Sequence, residues 1–185
     1  HEGEDLTGGS ALQALTYRHS AFFAQLGDPE RLESEFWAGD AHTRSAYQLE
    51  SDNLLHAMAI SQGTPHGDIQ GFSTLALANI HRCFGPFAPA LSWVLTSLQR
   101  DDLSPRCRYH LTFEAAQLYW SLAQIDAAIK TASEALEIAQ ILKDPVIEAM
   151  ALSYLADIDH TNRSIPQRLE MLNRALQMVQ GADAP

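Results

Sequence analysis

Cysteine is scarce in this chain, basic residues are few, and no long apolar run occurs. Each shortage excludes something. Two cysteines, Cys83 and Cys107, are too few for a disulfide framework and fit a reducing compartment. Twelve Lys and Arg stand against 23 Asp and Glu, a formal net charge of -11. So acidic a chain repels a phosphate backbone unless a local basic patch intervenes. The densest candidate carries Arg100, Arg106 and Arg108 but also Asp101 and Asp102, and reads as a solvated loop. Direct nucleic-acid binding is therefore not expected. No apolar run approaches the length of a membrane span and no signal-peptide pattern opens the chain. The expectation is a cytoplasmic protein that does not enter a membrane. No Gly-Lys pair occurs, so these residues contain no G-x-x-x-x-G-K-[ST] phosphate loop. Nor does any segment resemble a recognition helix rich in Arg and Lys.

What is present is a globular composition, 46% hydrophobic over 185 residues, enough for a core. A chain that begins HEGEDLTGGS rather than with Met is expected to be a piece of something longer. Helical periodicity runs through nearly all of it, and no segment alternates with a period of two. Gly and Pro punctuate the helices. Gly27-Asp28-Pro29 ends a first helix at about 26 and opens a second, which runs to about 62 with a break near Gly39-Asp40. The breaker Gly63-Thr64-Pro65-His66-Gly67 follows. Further helices are expected at about 68–83, 86–99, 105–123, 125–142, 145–160 and 165–179. Gly85-Pro86, Ser104-Pro105 and Asp144-Pro145 mark three of the boundaries.

A shift of 40 residues lays like on like. Ala76, Ala116 and Ala156 align, as do Ile125 with Ile165, Ile129 with Leu169 and Leu136 with Leu176. Each unit is a helix, a turn and a second helix, and neither helix can bury its apolar stripe alone. Small residues such as Ala128, Ala132 and Ala135 let the helices of a pair approach closely. The expected fold is all-α, a right-handed superhelical stack of antiparallel helix pairs. Residues 1–9 are expected to be a disordered or appended terminus and 10–66 a helical pair with a long second helix. Residues 67–180 would hold three units of about 40 residues, and 181–185 a tail. Leu169, Leu172, Leu176 and Met178 would leave an apolar edge on the last pair, through which the chain could self-associate.

The order Leu122-Ala123, Ile125, Ala128, Ala132, Ala135-Leu136 resembles the tetratricopeptide pattern of two antiparallel helices. It departs from that pattern at Ala116, where Gly is common, in lacking the closing Pro, and in its longer period. Upstream, Tyr17-Arg18-His19-Ser20-Ala21-Phe22-Phe23 and Leu49-Glu50-Ser51-Asp52-Asn53-Leu54 resemble the segment that follows the ATPase part of bacterial STAND-class regulators. These join an NB-ARC-type ATPase to tetratricopeptide-like repeats, usually with a winged-helix or LuxR-type DNA-binding domain elsewhere. The resemblance implies a sensor or scaffold arm of a transcriptional regulator. The arm would receive a protein, a peptide segment or a small-molecule inducer and release the ATPase. A free-standing adaptor that tethers two proteins is the alternative.

Candidate chemistry weighs less. His81-x-Cys83 and Cys107-x-x-His110 supply four zinc-type ligands, but on first helices of successive repeats they sit at opposite ends, about 20 Å apart. No metal or cofactor is expected. Asp157 and His160 lie three apart on one helix face, and read as a helix-end pair. No G-x-S-x-G elbow occurs, and no enzymatic activity is expected. The remaining candidate is the face of each first helix that would line a concave groove. In the first repeat that face is expected to carry Gln70, Ser73, Thr74, Leu77 and His81. In the second it carries His110, Phe113, Glu114, Gln117 and Trp120. In the third it carries Ser153, Tyr154, Asp157 and His160. Aromatic and uncharged polar groups mixed on such a surface suit a peptide or a small ligand.

Overall fold

The computed structural model describes residues 5–182, and the side chains of 11–181. Among these residues every regular element is helical. Residues 1–4 and 183–185, parts of the two expected tails, lie outside the described residues. The first helix, α1, spans Asp5–Ala24 and closes with a tight turn at Gln25–Gly27. The second, α2, spans Pro29–Arg31 and continues without a break into a π-helical stretch, Leu32–Trp37. Next come α3 (Ala41–Leu49) and α4 (Ser51–Ser61). Three helical hairpins complete the chain: α5 (Gly67–Phe84) with α6 (Phe87–Leu98), α7 (Pro105–Ser121) with α8 (Ile125–Leu142), and α9 (Pro145–Ile158) with α10 (Ile165–Ala182).

The punctuation has a local cause at each boundary. Asp28, Asp40, Ser104 and Asp144 each turn a side-chain oxygen onto the free N–H groups of the helix that follows. Behind Asp28, Ser104 and Asp144 the first helical residue is Pro, whose missing N–H costs nothing there. The expected break near Gly39-Asp40 is present, and the chain is divided once more at Glu50. The π-helical turn presents Leu32 and Phe36 to the core, and the half-buried Trp37 packs against the same cluster.

Hydrogen bonds between first helices set their direction. Tyr109 donates its hydroxyl to the Ile147 carbonyl at 2.8 Å, and Tyr154 its own to the Ala116 carbonyl at 3.4 Å. Both join residues 38 apart, so α7 and α9 run parallel. Within hairpins the order reverses: Thr74 meets Ser97 at 2.9 Å and the His81 ring meets Trp93, as antiparallel helices require. Ala76, Ala116 and Ala156 are all fully buried, as are Ala128, Ala132 and Ala135 on α8. At two crossings even a methyl group is too much. A Cβ at Gly71 would lie 2.3 Å from the Cys107 sulfur, and one at Gly27 would lie 1.7 Å from the Phe72 carbonyl oxygen. Glycine there lets α5 meet α7 and lets the chain before Pro29 lie on α5.

The first helices begin at Gly67, Pro105 and Pro145, and the second helices at Phe87, Ile125 and Ile165. The step is thus 38 residues, then 40. The arginines of the α6–α7 region are internally engaged. Arg100 holds Asp102 at 2.7 Å and Gln70 at 2.9 Å, Arg108 caps the Leu98 carbonyl at 3.0 Å, and Arg106 pairs with Glu30 at 2.9 Å. No described helix is long and apolar enough to cross a membrane. On α10, Leu169, Leu172 and Leu176 are exposed, whereas Met178 packs against the cluster around Ala149, Leu152 and Ala175.

Candidate functional site

The first helices and the Pro29–Ala38 segment enclose a cavity of about 710 Å³. One wall is α5, through Leu75, Asn79 and Arg82, spaced four and three apart and so on one face. The floor is α7, through Arg106, His110, Phe113, Glu114 and Gln117. The far wall is α9, through Val146, Ile147 and Met150. The fourth side is Leu32 and Trp37, with Glu30, Glu33, Ser34 and Ala38 along the rim. The Pro29–Trp37 segment is held there by Trp37, whose indole N–H donates to Asn79 at 2.8 Å. The volume is that of a pocket for a drug-sized molecule.

At the bottom lies an ion pair. Arg82 brings its Nε to 3.0 Å from the Glu114 carboxylate, which is almost wholly buried. The contact lacks the alignment of a hydrogen bond, so both atoms are buried without a hydrogen-bond partner. The remaining guanidinium nitrogens donate to Gln117 and, at 3.1 Å, to Asn79. The Arg82 carbon sits 4.3 Å above the Trp37 ring, a cation–π contact. Burial pushes the Glu114 carboxyl above its ordinary range, and Arg82 pulls it back. The His110 ring is pushed down to about 4, first by burial and then by Arg106, so it is neutral near pH 7. Its Nε2 is buried and has no hydrogen-bond partner. Phe113 stacks on Tyr109 and meets Tyr154 edge-on at 5.3 Å, which fixes the aromatic part of the floor.

The structure brings together four of the residues expected on α7: His110, Phe113, Glu114 and Gln117. Trp120, beyond the cavity's end, is partly exposed and stands 6.1 Å from the His160 ring. Tyr154 backs the cavity through Phe113, whereas Asp157 is exposed and Ser153 donates to the Met150 carbonyl on its own helix.

The face expected on α5 is a correction. Gln70, Ser73, Thr74 and Leu77 are buried, and Gln70 and Thr74 bond to Ser97 on α6. His81 packs on Trp93 of α6 and contacts the Pro86 carbonyl at 3.1 Å. None of these five lines the cavity. The reason is the repeat step. Register carried back by 40 residues where the helices step by 38 turns the helix by two residues, about 200°. The lining residues Leu75, Asn79 and Arg82 lie on the side away from α6. A lone arginine at helical spacing from Asn79 in an acidic chain was the available signal.

Sequence reasoning also missed the contribution of Pro29–Ala38, because the Trp37–Asn79 bond spans 42 residues. Among the described residues no group of three or more His, Cys, Asp or Glu could hold a metal ion. Cys83 is exposed and Cys107 buried, and both are free thiols. The chain matches no protein-family model, and no curated protein is significantly similar to it.

Proposed function

We propose that this chain is a non-catalytic recognition module, a right-handed superhelical tetratricopeptide-like stack whose concave side receives a ligand or a protein segment. It would serve as the sensor arm of a cytoplasmic, ATPase-coupled transcriptional regulator, with occupancy biasing the parent between inactive and active arrangements. The observation that carries the reading is the cavity of about 710 Å³ between three parallel first helices and the Pro29–Ala38 segment. Its lining mixes Leu75, Phe113, Ile147 and Met150 with a few fixed polar groups, the usual make-up of a binding pocket. Its polar groups also support recognition over chemistry. Arg82 is committed to Glu114, Gln117, Asn79 and Trp37, and the buried Nε2 of His110 has no hydrogen-bond partner. The parent's ATPase and DNA-binding parts enter only through the resemblance of Tyr17–Phe23 and Leu49–Leu54. The exposed Leu169, Leu172 and Leu176 would meet a further repeat or a second copy.

The test is an NMR screen of a varied small-molecule and peptide collection against the chain and its Ala38→Trp variant. Ala38 is an exposed rim residue, so the indole should fill the mouth without disturbing the core. Ligands that bind the wild-type chain and are lost in Ala38→Trp support the reading. Binders unaffected by the substitution, or none at all, sink it.

A further inference from the structure

Each charge inside the cavity already has a partner. Arg82 meets the Glu114 carboxylate at 3.0 Å and donates to Gln117 and Asn79, and Arg106 pairs with Glu30 at 2.9 Å. The His110 ring is neutral near pH 7. Glu33 is the remaining charged group of the lining, and it lies exposed on the rim, where water screens it. A charged ligand would leave its hydration shell and meet no uncompensated opposite charge in the interior among the described residues. The surface still open is apolar. Val146 and Met150, four apart on one face of α9, line the cavity and remain 45% and 38% exposed. The part-buried Trp37 and Phe113 line it too, and an apolar body laid on these four takes that surface out of water. The shape is closed to a chain passing through. Trp37 ties the Pro29–Ala38 segment to α5 through Asn79, and Glu30 ties it to α7 through Arg106. The segment thus bars the concave path across the first helices that an extended peptide would follow. The volume left, about 710 Å³, suits a compact molecule.

We propose that the cavity selects a compact, uncharged, largely apolar molecule over a cation or an anion of the same shape, with its body against Trp37, Phe113, Val146 and Met150. This assignment rests on the reading of the cavity as a binding site and adds the chemistry of the occupant.

Three probes of one shape separate the possibilities: 2-acetylnaphthalene, 1-(2-naphthyl)ethylamine and 2-naphthoate, titrated at pH 7 with NMR detection of the Trp37 indole and Met150 methyl signals. The uncharged ketone is expected to bind about ten-fold or more tighter than either ion, because only the ions lose hydration without a counter-charge in return. Met150→Lys, at an exposed helical position, sets an unpaired ammonium on the wall. In that variant the carboxylate should gain about ten-fold relative to the ketone. If the variant does not fold, the wild-type ranking decides the question. An ion that binds as well as the ketone, or a carboxylate that gains nothing in Met150→Lys, overturns the assignment. If none of the three probes binds, the compounds lost in Ala38→Trp decide: compact uncharged ones bear the assignment out, and ions or extended peptides overturn it alone. Failure of every compound removes the binding-site reading as well.

Discussion

Replacing Arg82 by Met leaves the aliphatic stem in place and removes the cation that faces Glu114 at 3.0 Å. Glu114 is 4% exposed, so its carboxylate would stand in the interior with no counter-charge. A buried, unpaired Glu protonates instead of staying charged, with pKa values of about 8–9 known for such groups. In the unfolded chain it ionises near 4.3, and holding the proton at pH 7 then costs about 3–4 kcal/mol. That agrees with about 3–5 kcal/mol for breaking a buried pair from one side. Access of water from the cavity should place the value near the lower end, about 3 kcal/mol. The sign with pH is fixed. The folded variant binds a proton that the unfolded chain has released, so its deficit grows with rising pH and shrinks by about 1.4 kcal/mol per unit on acidification toward 4.3. Urea unfolding at pH 5, 6 and 7, followed by circular dichroism, measures this directly. The deficit should fall by about 2–3 kcal/mol between pH 7 and pH 5. The double variant Arg82→Met with Glu114→Met should recover to within about 1 kcal/mol of the parent, since both charges are gone. A single-variant deficit under about 0.5 kcal/mol, or one equal at pH 5 and 7, would refute the buried-pair reasoning.

Three further outcomes follow from named contacts. His110 is neutral in the folded chain down to about pH 4, whereas the unfolded chain takes up its proton below about 6.5, so stability should drop across that window. His110→Gln should remove about 3 kcal/mol of that drop between pH 6.5 and 4, and a pH profile unchanged by the substitution would count against the buried ring. Tyr109→Phe deletes the 2.8 Å bond to the Ile147 carbonyl between α7 and α9 and should cost about 1 kcal/mol; no measurable loss would mean that the bond does not form. Gly71→Ala pushes a methyl group against the Cys107 sulfur and should destabilise by about 1–2 kcal/mol net of the helix preference for Ala. In a Cys107→Ala background the same change should be neutral or stabilising by up to about 1 kcal/mol, and a penalty that persists there would place the clash elsewhere.

The helical hairpins were legible because their ends are chemical. Ser104-Pro105 and Asp144-Pro145 carry a cap and a ring-locked first residue side by side, and α7 and α9 start where those pairs predict. The α7 face was legible too, since His110, Phe113, Glu114 and Gln117 share a stripe whatever the neighbour does. The α5 face was not. Its orientation depends on how many residues separate the repeats, and a step of 38 instead of 40 moves Leu75, Asn79 and Arg82 to the cavity in place of Ser73, Thr74 and Leu77. Nothing local in Pro29–Trp37 shows that it crosses the first helices. That placement comes from Trp37 meeting Asn79 and Arg82, and from Gly27 lying against the Phe72 backbone. Contacts between residues more than 40 apart leave no periodic trace.

The most direct test of the concave cavity as the place of recognition is the set of nuclear Overhauser contacts from the protons of a ligand that the screen finds bound to the wild-type chain. Contacts to both the Trp37 ring and the Met150 methyl group are expected, with none to α10. Contacts confined to the exposed Leu169, Leu172 and Leu176 would contradict the account.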